Sequence, residues 1–291
     1  MKLLVTGAKG QLGSDLVAYS RKAGVPCVGA GRRDFDITDR GAVMEFVAGC
    51  RPDAVVHCAA YNAVDRAEEE AELCRRVNAE GTANVAAACR AVRAKMMYLS
   101  TDYVFDGTKT GLYEAEDPVR PLSVYGRSKA EGEEEVRRGM ERFFIVRTSW
   151  LFGKNGGNFV KTMLQKAKTG EEVRVVCDQI GSPTYTQDLV PLLLAIVRSE
   201  KFGIYHATNE GFCSWADFAE EIMRLTGSRC RVVPVTSAAY AAPARRPENS
   251  RLSKRSLTEN EFPLLPPWHD ALVRFLNKEG EPRTDEKGKK P

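Results

Sequence analysis

A glycine-rich turn near the start of the chain constrains the fold more than any other feature. The apolar run Lys2-Leu-Leu-Val-Thr6 predicts a buried strand, and it leads directly into Gly7-Ala-Lys-Gly10-Gln-Leu-Gly13. A helix that begins inside such a turn presents free backbone N–H groups and the positive end of its dipole to an anion. A plain tight turn is the alternative, but the strand before and the helix after it favour a loop that binds the pyrophosphate of a dinucleotide.

Short apolar runs alternate with amphipathic stretches through the first half of the chain, which is typical of a parallel sheet covered on both faces. Strands are predicted at 2–6, 27–31, 54–58, 96–100 and 143–147, and helices near 12–23, 40–49, 74–92 and 123–138. Gly24 suits the end of the first helix, and Asp39 suits the cap of the second. We therefore expect an α/β fold in which residues 1–150 form a Rossmann-like, doubly wound parallel sheet.

The pattern changes after Trp150. Helices are predicted at 159–168 and 214–225, strands at 173–177, 203–207 and 231–234, and a loop at 238–250. Residues 151–277 are expected to form mainly a smaller C-terminal substrate lobe, with late elements of the first domain interleaved at about 180–210. Residues 278–291 are almost wholly charged residues, glycine and proline, which predicts a disordered tail.

Composition limits the classes of partner. The net charge of +4 comes from 43 basic and 39 acidic residues that are mixed along the chain, so no nucleic-acid partner is predicted. No apolar run approaches the roughly 20 residues of a membrane span, and no secretory signal pattern opens the chain. The eight cysteines are scattered without a C-x-x-C pair, which indicates free thiols in a reducing cytosol. We expect a cytoplasmic protein without a membrane partner.

The segment Ser123-Val-Tyr-Gly-Arg-Ser-Lys129 places Tyr125 and Lys129 one helical turn apart on the same helix face. The ammonium of Lys129 is expected to hold the phenol of Tyr125 near ionisation. The fourth predicted strand ends in Ser100 and Thr101, either of which can hold a substrate oxygen near that phenol. Together with the glycine turn, these residues predict a nicotinamide enzyme that moves a proton at the oxygen of a carbon exchanging hydride.

The end of the second predicted strand bears on cofactor choice. Arg32 and Arg33 stand there in place of the carboxylate that usually binds a ribose 2′-hydroxyl, and a guanidinium at that point suits the 2′-phosphate of NADPH. Two solvated arginines, with NADH as cofactor, are the open alternative. Asp36 can accept from the adenine amine or cap a helix, and His57 is expected in the core rather than in catalysis.

Motifs along nearly the whole chain carry a family resemblance. They are Gly7–Gly13, Ala59–Glu68, Val77–Thr82, Ser100–Phe105, Val124–Lys129, Val146–Gly153, Asn158–Val160, Asp178–Thr184 and Arg245–Pro247. With them the chain resembles the extended short-chain dehydrogenase/reductase family and, within it, the dTDP-4-dehydrorhamnose reductases. The resemblance ends near Leu276.

The resemblance implies roles for individual residues. The implied catalytic set is Thr101, Tyr125 and Lys129. The implied cofactor-binding set is Gly7, Gly10, Gln11, Leu12, Gly13, Arg32, Arg33, Asp36, Ile37, Ala59, Ala60, Tyr61, Asn78, Tyr125 and Lys129. The implied substrate-binding set is Thr101, Asp102, Tyr103, Trp150 and Asn158. Some relatives bridge a dimer through magnesium, but only Asp15 offers a counterpart to those ligands, so no metal is predicted and a homodimer is left open.

The activity implied by the resemblance is the NADPH-dependent reduction of the C4 ketone of dTDP-4-dehydro-L-rhamnose to dTDP-L-rhamnose. Another nucleotide-sugar 4-ketoreductase or epimerase is an alternative, because nothing in the residues fixes the stereochemistry of the sugar. A non-catalytic regulatory subunit is a second alternative, since a relative of this fold binds methionine adenosyltransferase. The intact Thr101, Tyr125 and Lys129 argue against that second role.

Overall fold

The computed structural model describes residues 1–169 and 172–280. Its strands are β1 Leu3–Thr6, β2 Cys27–Ala30, β3 Ala54–His57, β4 Lys95–Thr101, β5 Phe143–Thr148, β6 Leu151–Phe152, β7 Val173–Val176, β8 Ile180–Gly181, β9 Thr184–Tyr185, β10 Gly203–His206, β11 Cys213–Ser214 and β12 Val232–Val235. Its helices are α1 Gln11–Lys22, α2 Arg40–Cys50, α3 Val64–Ala67, α4 Ala71–Arg75, α5 Gly81–Ala91, α6 Val124–Gly139, α7 Phe159–Thr169, α8 Thr186–Arg198, α9 Trp215–Leu225, α10 Ser237–Tyr240, α11 Arg255–Glu259 and α12 Trp268–Gly280. A π-helical turn, Arg76–Glu80, joins α4 to α5, and a 3₁₀ turn, Asp102–Val104, follows β4.

The main sheet has six parallel strands in the order β10-β5-β4-β3-β1-β2. The strand β1 lies between β2 and β3, so that Thr6 is beside both Ala30 and His57. The chain order therefore reverses at β1, and the crevice outside the carboxyl ends of the strands at that point is where such sheets bind ligands. The predicted doubly wound α/β fold is confirmed.

Helices bury both faces of the sheet. Leu3 and Val5 point to one face, where they pack in one apolar cluster with Leu16 of α1 and with the apolar residues of α8. Leu4 points to the other face, where it packs in a second cluster with α2, α5 and α6, for example with Val85. Because successive side chains of a strand point to opposite faces, near-continuous apolar strands are what a sheet covered on both sides requires.

Local signals set the ends of the helices. The side chain of Asp39 accepts a hydrogen bond from the backbone N–H of Ala42 and caps α2, as predicted. Gly24 has a φ of 68° just after α1, a left-handed conformation that glycine adopts without a steric penalty. The helix predicted over 74–92 is present but is interrupted by the π-helical turn, a feature that often marks functional sites.

A separate apolar cluster is formed by residues between Trp150 and Leu276, and the elements around it are called here the second lobe. Helices α7, α9 and α12 surround buried aromatic rings that include Phe152, Phe218 and Phe275. Small strand pairs complete the lobe, with β7 beside β12, β8 beside β11 and β6 beside β9. The strand β10 returns from this half of the chain to the edge of the main sheet, where it pairs with β5.

Two predicted segments differ from the structure. The loop predicted at 238–250 begins inside the short helix α10. The tail predicted from 278 begins inside α12, which ends at Gly280, and residues 281–291 lie outside the described part of the chain. Across the residues described, the structure has no helix whose length and apolar character would let it cross a bilayer.

Candidate active site

A cavity of about 670 Å³, called here the first cavity, opens at the carboxyl edge of the main sheet. Three parts of the chain meet around it: the glycine turn, the end of β4 with α6, and the segment after β5. Its lining includes Gly7, Gly10, Gln11, Leu12, Gly13, Ala60, Thr101, Asp102, Tyr103, Tyr125, Lys129 and Trp150 from the predicted site. The first cavity therefore brings together members of all three predicted groups.

The glycine turn leaves room that side chains would fill. Gly7 has a φ of 64°, and a Cβ atom there would lie 2.6 Å from the backbone nitrogen of Ala59. A Cβ atom on Gly13 would collide with the carbonyl oxygen of Gly7. Gly10 occupies the N-cap of α1 without a side-chain cap, so the first N–H groups of this helix are available to an anion. The turn thus fits the pyrophosphate of a dinucleotide.

Tyr125 and Lys129 reach the first cavity from α6. The helix begins at Ser123, whose hydroxyl accepts from the backbone N–H of Gly126 at 3.1 Å, and this cap sets Tyr125 in the first turn. One turn later, the Nζ of Lys129 donates to the carbonyl oxygen of Leu99 on β4 at 2.7 Å. Thr101 ends the same strand, so the three predicted catalytic residues line one cavity.

Burial dominates the charge state of Lys129. Its side chain is 2 % exposed, and its Nζ lies 4.1 Å from the centre of the Tyr98 ring. Loss of water lowers the pKa of Lys129 to about 7, against the opposing influence of Glu133 and of the Cys58 and Cys74 thiols. An ammonium that releases its proton near neutral pH is suited to proton transfer.

The phenol of Tyr125 is shifted in the other direction. Burial raises its pKa above the ordinary value of 10, the charge of Asp102 adds to that rise, and a hydrogen bond with Thr101 opposes it. The Tyr–Lys spacing predicts a phenol held near ionisation, and the structure corrects this expectation because burial, rather than a neighbouring cation, is the largest influence on the pKa of Tyr125. Tyr125 is therefore a protonated phenol at neutral pH.

Asp102 connects Thr101 to the loop that carries Ser250. Its carboxylate accepts from the hydroxyl of Ser250 at 2.6 Å and from the hydroxyl of Thr101 at 3.0 Å. Burial raises the pKa of Asp102 to about 6 despite these two bonds. Ser250 had no signal in the sequence, because only the fold brings its loop next to β4.

The loop after β3 is held from behind by Asn78. The Asn78 side chain accepts from the backbone N–H of Tyr61 at 2.8 Å and donates to the Tyr61 carbonyl at 3.1 Å. It also donates to the hydroxyl of Ser128 at 2.9 Å, which links the loop to α6. Ala60 lines the first cavity, Ala59 lies against Gly7, and the phenol of Tyr61 donates to Glu70 at 2.7 Å. Asn78 thus acts on the cavity through the loop.

The predicted adenine end lies beyond the lining of the first cavity. Arg32 and Arg33 are exposed just after β2, at the same edge of the sheet. Asp36 accepts from the backbone and hydroxyl of Thr38, both at 2.9 Å, and these bonds hold its pKa below the ordinary value. Ile37 packs closely against Gly81. Their roles toward a cofactor stay predictions.

The residues predicted to bind the sugar do not all line the first cavity. Tyr103 and Trp150 line the first cavity, and the ring of Tyr103 meets that of Tyr125 edge to face at 5.9 Å. Asn158 instead caps α7 and donates to Gln11 at 2.8 Å and to the Gly153 carbonyl at 2.9 Å. Both amide hydrogens of Asn158 are thus used within the protein, and its predicted contact with substrate stays a prediction.

A second cavity of about 750 Å³ adjoins the first. The two share Tyr103, Phe159 and Trp215. The second cavity is basic, since its lining includes Lys166, Arg174, Arg245 and Arg246. Sequence motifs signalled Arg245 and Arg246 in this lining, as well as Tyr103 and Gln179, whereas Trp215 had no sequence signal.

Asp15 has protein partners where a metal ligand would need a free carboxylate. It accepts from the hydroxyl of Thr186 at 2.6 Å and from the amide of Asn155 at 3.1 Å. Among residues 1–169 and 172–280, no group of three or more His, Cys, Asp or Glu side chains is arranged to hold a metal ion.

Comparison with known proteins identifies a family model and several relatives that match nearly the whole chain. Residues 1–280 match the family model described as RmlD substrate binding domain. A dTDP-4-dehydrorhamnose reductase of Streptomyces griseus is 43% identical over 277 residues, covering 93% of this chain and 91% of the relative. The spore coat polysaccharide biosynthesis protein SpsK of Bacillus subtilis (strain 168) is 40% identical over 278 residues, covering 95% and 97%.

A solved structure agrees with these relatives. The dTDP-4-dehydrorhamnose reductase of Bacillus anthracis, crystallised with NADP, is 41% identical and superposes with a TM-score of 0.93 over 96% of this chain and 100% of that one. Since one family model spans all but the end of the chain, the protein belongs to the RmlD substrate binding domain family, and its predicted membership of the dTDP-4-dehydrorhamnose reductases is confirmed.

Proposed function

We propose that this protein reduces the C4 ketone of dTDP-4-dehydro-L-rhamnose to dTDP-L-rhamnose with NADPH. The observation that carries the proposal is the meeting of Thr101, Tyr125 and Lys129 in one cavity beside a glycine turn shaped for a dinucleotide. Relatives with about 40% identity are reductases of this sugar nucleotide, and one of them was crystallised with NADP.

The residues divide the chemistry as follows. When bound, NADPH supplies the hydride that the carbonyl carbon receives. Tyr125 donates its phenolic proton to the carbonyl oxygen, and its raised pKa keeps that proton in place until the oxygen gains charge. The Lys129 ammonium, beside the Leu99 carbonyl, holds the cofactor ribose and returns a proton to Tyr125.

Thr101 adds electrostatic stabilisation at the same oxygen. In the structure Thr101 ends β4 and lines the first cavity, and its hydroxyl donates to Asp102 at 3.0 Å. Turning this donor to the substrate oxygen stabilises the negative charge that develops there. Asp102 keeps one hydrogen bond when the Thr101 hydroxyl turns away, because its carboxylate still accepts from Ser250.

The second cavity suits the nucleotide portion of the substrate. Guanidinium groups bind phosphate oxygens in bidentate geometry, and Arg174 and Arg245 line this cavity. Arg246 lines it too, but its guanidinium already holds the carboxylate of Asp65 through two bonds of 2.9 Å. Because the two cavities share Tyr103 and Trp215, a diphosphate bound in the second cavity would lie next to the reacting sugar, which supports the proposal. A sugar joined to a diphosphate nucleotide spans both.

The direct test follows NADPH oxidation by the purified protein with a panel of nucleotide 4-keto sugars. We expect dTDP-4-dehydro-L-rhamnose to be turned over with the highest kcat/KM, and Tyr125→Phe to lower kcat by about 10²- to 10⁴-fold because it removes one proton donor. Tyr113→Phe is the matched control, since that phenol donates to Asp106 outside both cavities. Near-normal turnover by Tyr125→Phe would show that another group is the acid.

Location and assembly are part of the same proposal. A cytoplasmic site of action suits the free thiols of Cys58, Cys74 and Cys89. A homodimer stays a prediction, and light scattering of the purified protein checks it directly.

A further inference from the structure

The indole of Trp150 lies in a narrow slot between two parts of the second lobe. Its ring stacks on that of Trp215 with 3.7 Å between the ring centres and 11° between the planes. On another side the slot is closed by Gly181, where a Cβ atom would come within 2.8 Å of the Trp150 ring. Trp150 also has a φ of 49°, a left-handed conformation that is costly for a bulky residue and persists only where surrounding contacts enforce it.

The elements that form the slot are joined to each other. Gly181 of β8 pairs with Cys213 of β11, and Trp215 begins α9 immediately after that strand. A capping box fixes this start, since Ser214 accepts from the backbone N–H of Asp217 at 3.0 Å and Asp217 accepts from that of Ser214 at 2.8 Å. The separation between Gly181 and the Trp215 ring is therefore set by backbone pairing and a helix cap.

Trp215 also stands where the two cavities meet. Trp150 lines the first cavity, whereas Trp215 lines both, with Phe159 at 4.5 Å from its ring centre on the side of α7. Neither indole is fully buried, so each presents part of its surface to the cavities. A change at Trp215 would reach the sugar site by releasing Trp150.

We propose that Trp215 is a positioning residue for substrate, which acts by holding the Trp150 indole against the sugar end of the first cavity. The inference rests on the proposed function, because it assumes that a sugar occupies that end. It extends that function because it assigns a role to Trp215 of α9. The role is inferred from the stacking of Trp215 on Trp150 and from the slot that holds the Trp150 indole.

The first experiment detects the stacked pair without any substrate. Two stacked indoles whose transition dipoles are crossed give an exciton couplet in the far-ultraviolet circular dichroism spectrum. Trp215→Leu and Trp150→Ala should each remove the same couplet from the wild-type spectrum, whereas Trp268→Phe should keep it, because Trp268 packs edge to face on Phe218. A couplet that survives in either Trp215→Leu or Trp150→Ala would overturn the proposed pairing.

The second experiment is a double-mutant cycle in steady-state kinetics with dTDP-4-dehydro-L-rhamnose. Aromatic pairs of this kind correspond to about 2- to 12-fold in an equilibrium constant, so Trp215→Leu should lower kcat/KM for the sugar by that order. The KM for NADPH should stay within about twofold of the wild type, and Trp215→Phe should recover part of the loss by restoring a stacked ring.

The cycle separates action through Trp150 from direct contact. In the Trp150→Ala background, Trp215→Leu should cause little further loss, since the residue it positions is absent. Two losses that multiply in full would overturn the proposal. If the wild type reduces no sugar of the panel but shows the couplet, the proposed function fails, and the couplet result decides the placement of Trp150 independently.

Discussion

Replacing Lys129 by methionine should change how the stability of the protein depends on pH. The pKa of Lys129 is lowered from 10.5 to about 7 in the folded protein, chiefly because its side chain is buried. The unfolded chain therefore binds more protons than the folded one between about pH 7 and 10.5, and the lysine makes the free energy of unfolding rise with pH through that window. At about 1.4 kcal/mol per pKa unit, the rise from pH 7 to 9 is ~2 kcal/mol.

Methionine keeps most of the apolar stem and carries no charge, so Lys129→Met should lose this rise of ~2 kcal/mol. Burial raises the pKa of the Cys58 thiol beside Lys129 to about 12, which is above the pH range compared, and burial also raises the pKa values of Cys74, Tyr98 and Tyr125. His57, whose pKa burial lowers to about 3, is already neutral at pH 7. Thiols of the unfolded chain titrate equally in both proteins and cancel in the comparison.

The assay is urea denaturation at pH 7 and pH 9 of the protein without cofactor. The wild type should gain ~2 kcal/mol more than Lys129→Met between the two pH values. Lys22→Met is the control, since this exposed lysine in the last turn of α1 should leave the pH dependence unchanged. Equal gains for the wild type and Lys129→Met would refute the argument that burial sets the charge state of Lys129.

Two other predictions concern the cofactor and the core beneath the site. Replacing both Arg32 and Arg33 by alanine should remove much of the preference for NADPH over NADH, since charge-assisted bonds contribute roughly 1.5–3 kcal/mol each. The measurement is kcat/KM with each cofactor for both proteins. Equal values for the two cofactors in the unmutated protein would contradict the prediction. Glu133→Gln should lower the free energy of unfolding by up to about 3–5 kcal/mol, because Glu133 holds the buried guanidinium of Arg147 at 2.7 and 2.8 Å. Glu134→Gln, on the exposed side of α6, is the control in the same urea titration, and equal losses would assign no special role to the buried pair.

Elements of the main sheet could be predicted because their signals are local. A strand buried on both faces requires a continuous apolar run, and a helix start is favoured by a polar cap such as Asp39. Both features can therefore be recognised from residues that are neighbours in the sequence. Gly7 and Gly13 also follow from a local constraint, because the backbone next to each of them leaves no room for a Cβ atom. Part of the candidate site could be predicted for the same reason, because Thr101 and the glycine turn lie at the ends of predicted strands.

The remaining parts of the site depend on contacts between distant segments. Ser250 bonds to Asp102 across 148 positions of the chain. Trp215 stacks on Trp150 beside the pair formed by β8 and β11, which are also distant in sequence. No local rule for serine or tryptophan distinguishes such residues from others of their type. The predicted direction of the Tyr125 pKa shift was wrong for a related reason, since the Tyr–Lys spacing does not reveal the burial that raises this pKa.

The helix after the glycine turn also joins the two lobes. Gln11 and Asp15 lie one turn apart on one face of α1, where Gln11 accepts from Asn158 and Asp15 accepts from Asn155 and Thr186. The same helix presents its first N–H groups to the first cavity. One helix thus contacts both the predicted pyrophosphate site and the loop that carries Gly156 and Gly157 into the cavity wall. These side-chain hydrogen bonds connect the two sides of the cleft, although the apolar clusters behind them are separate.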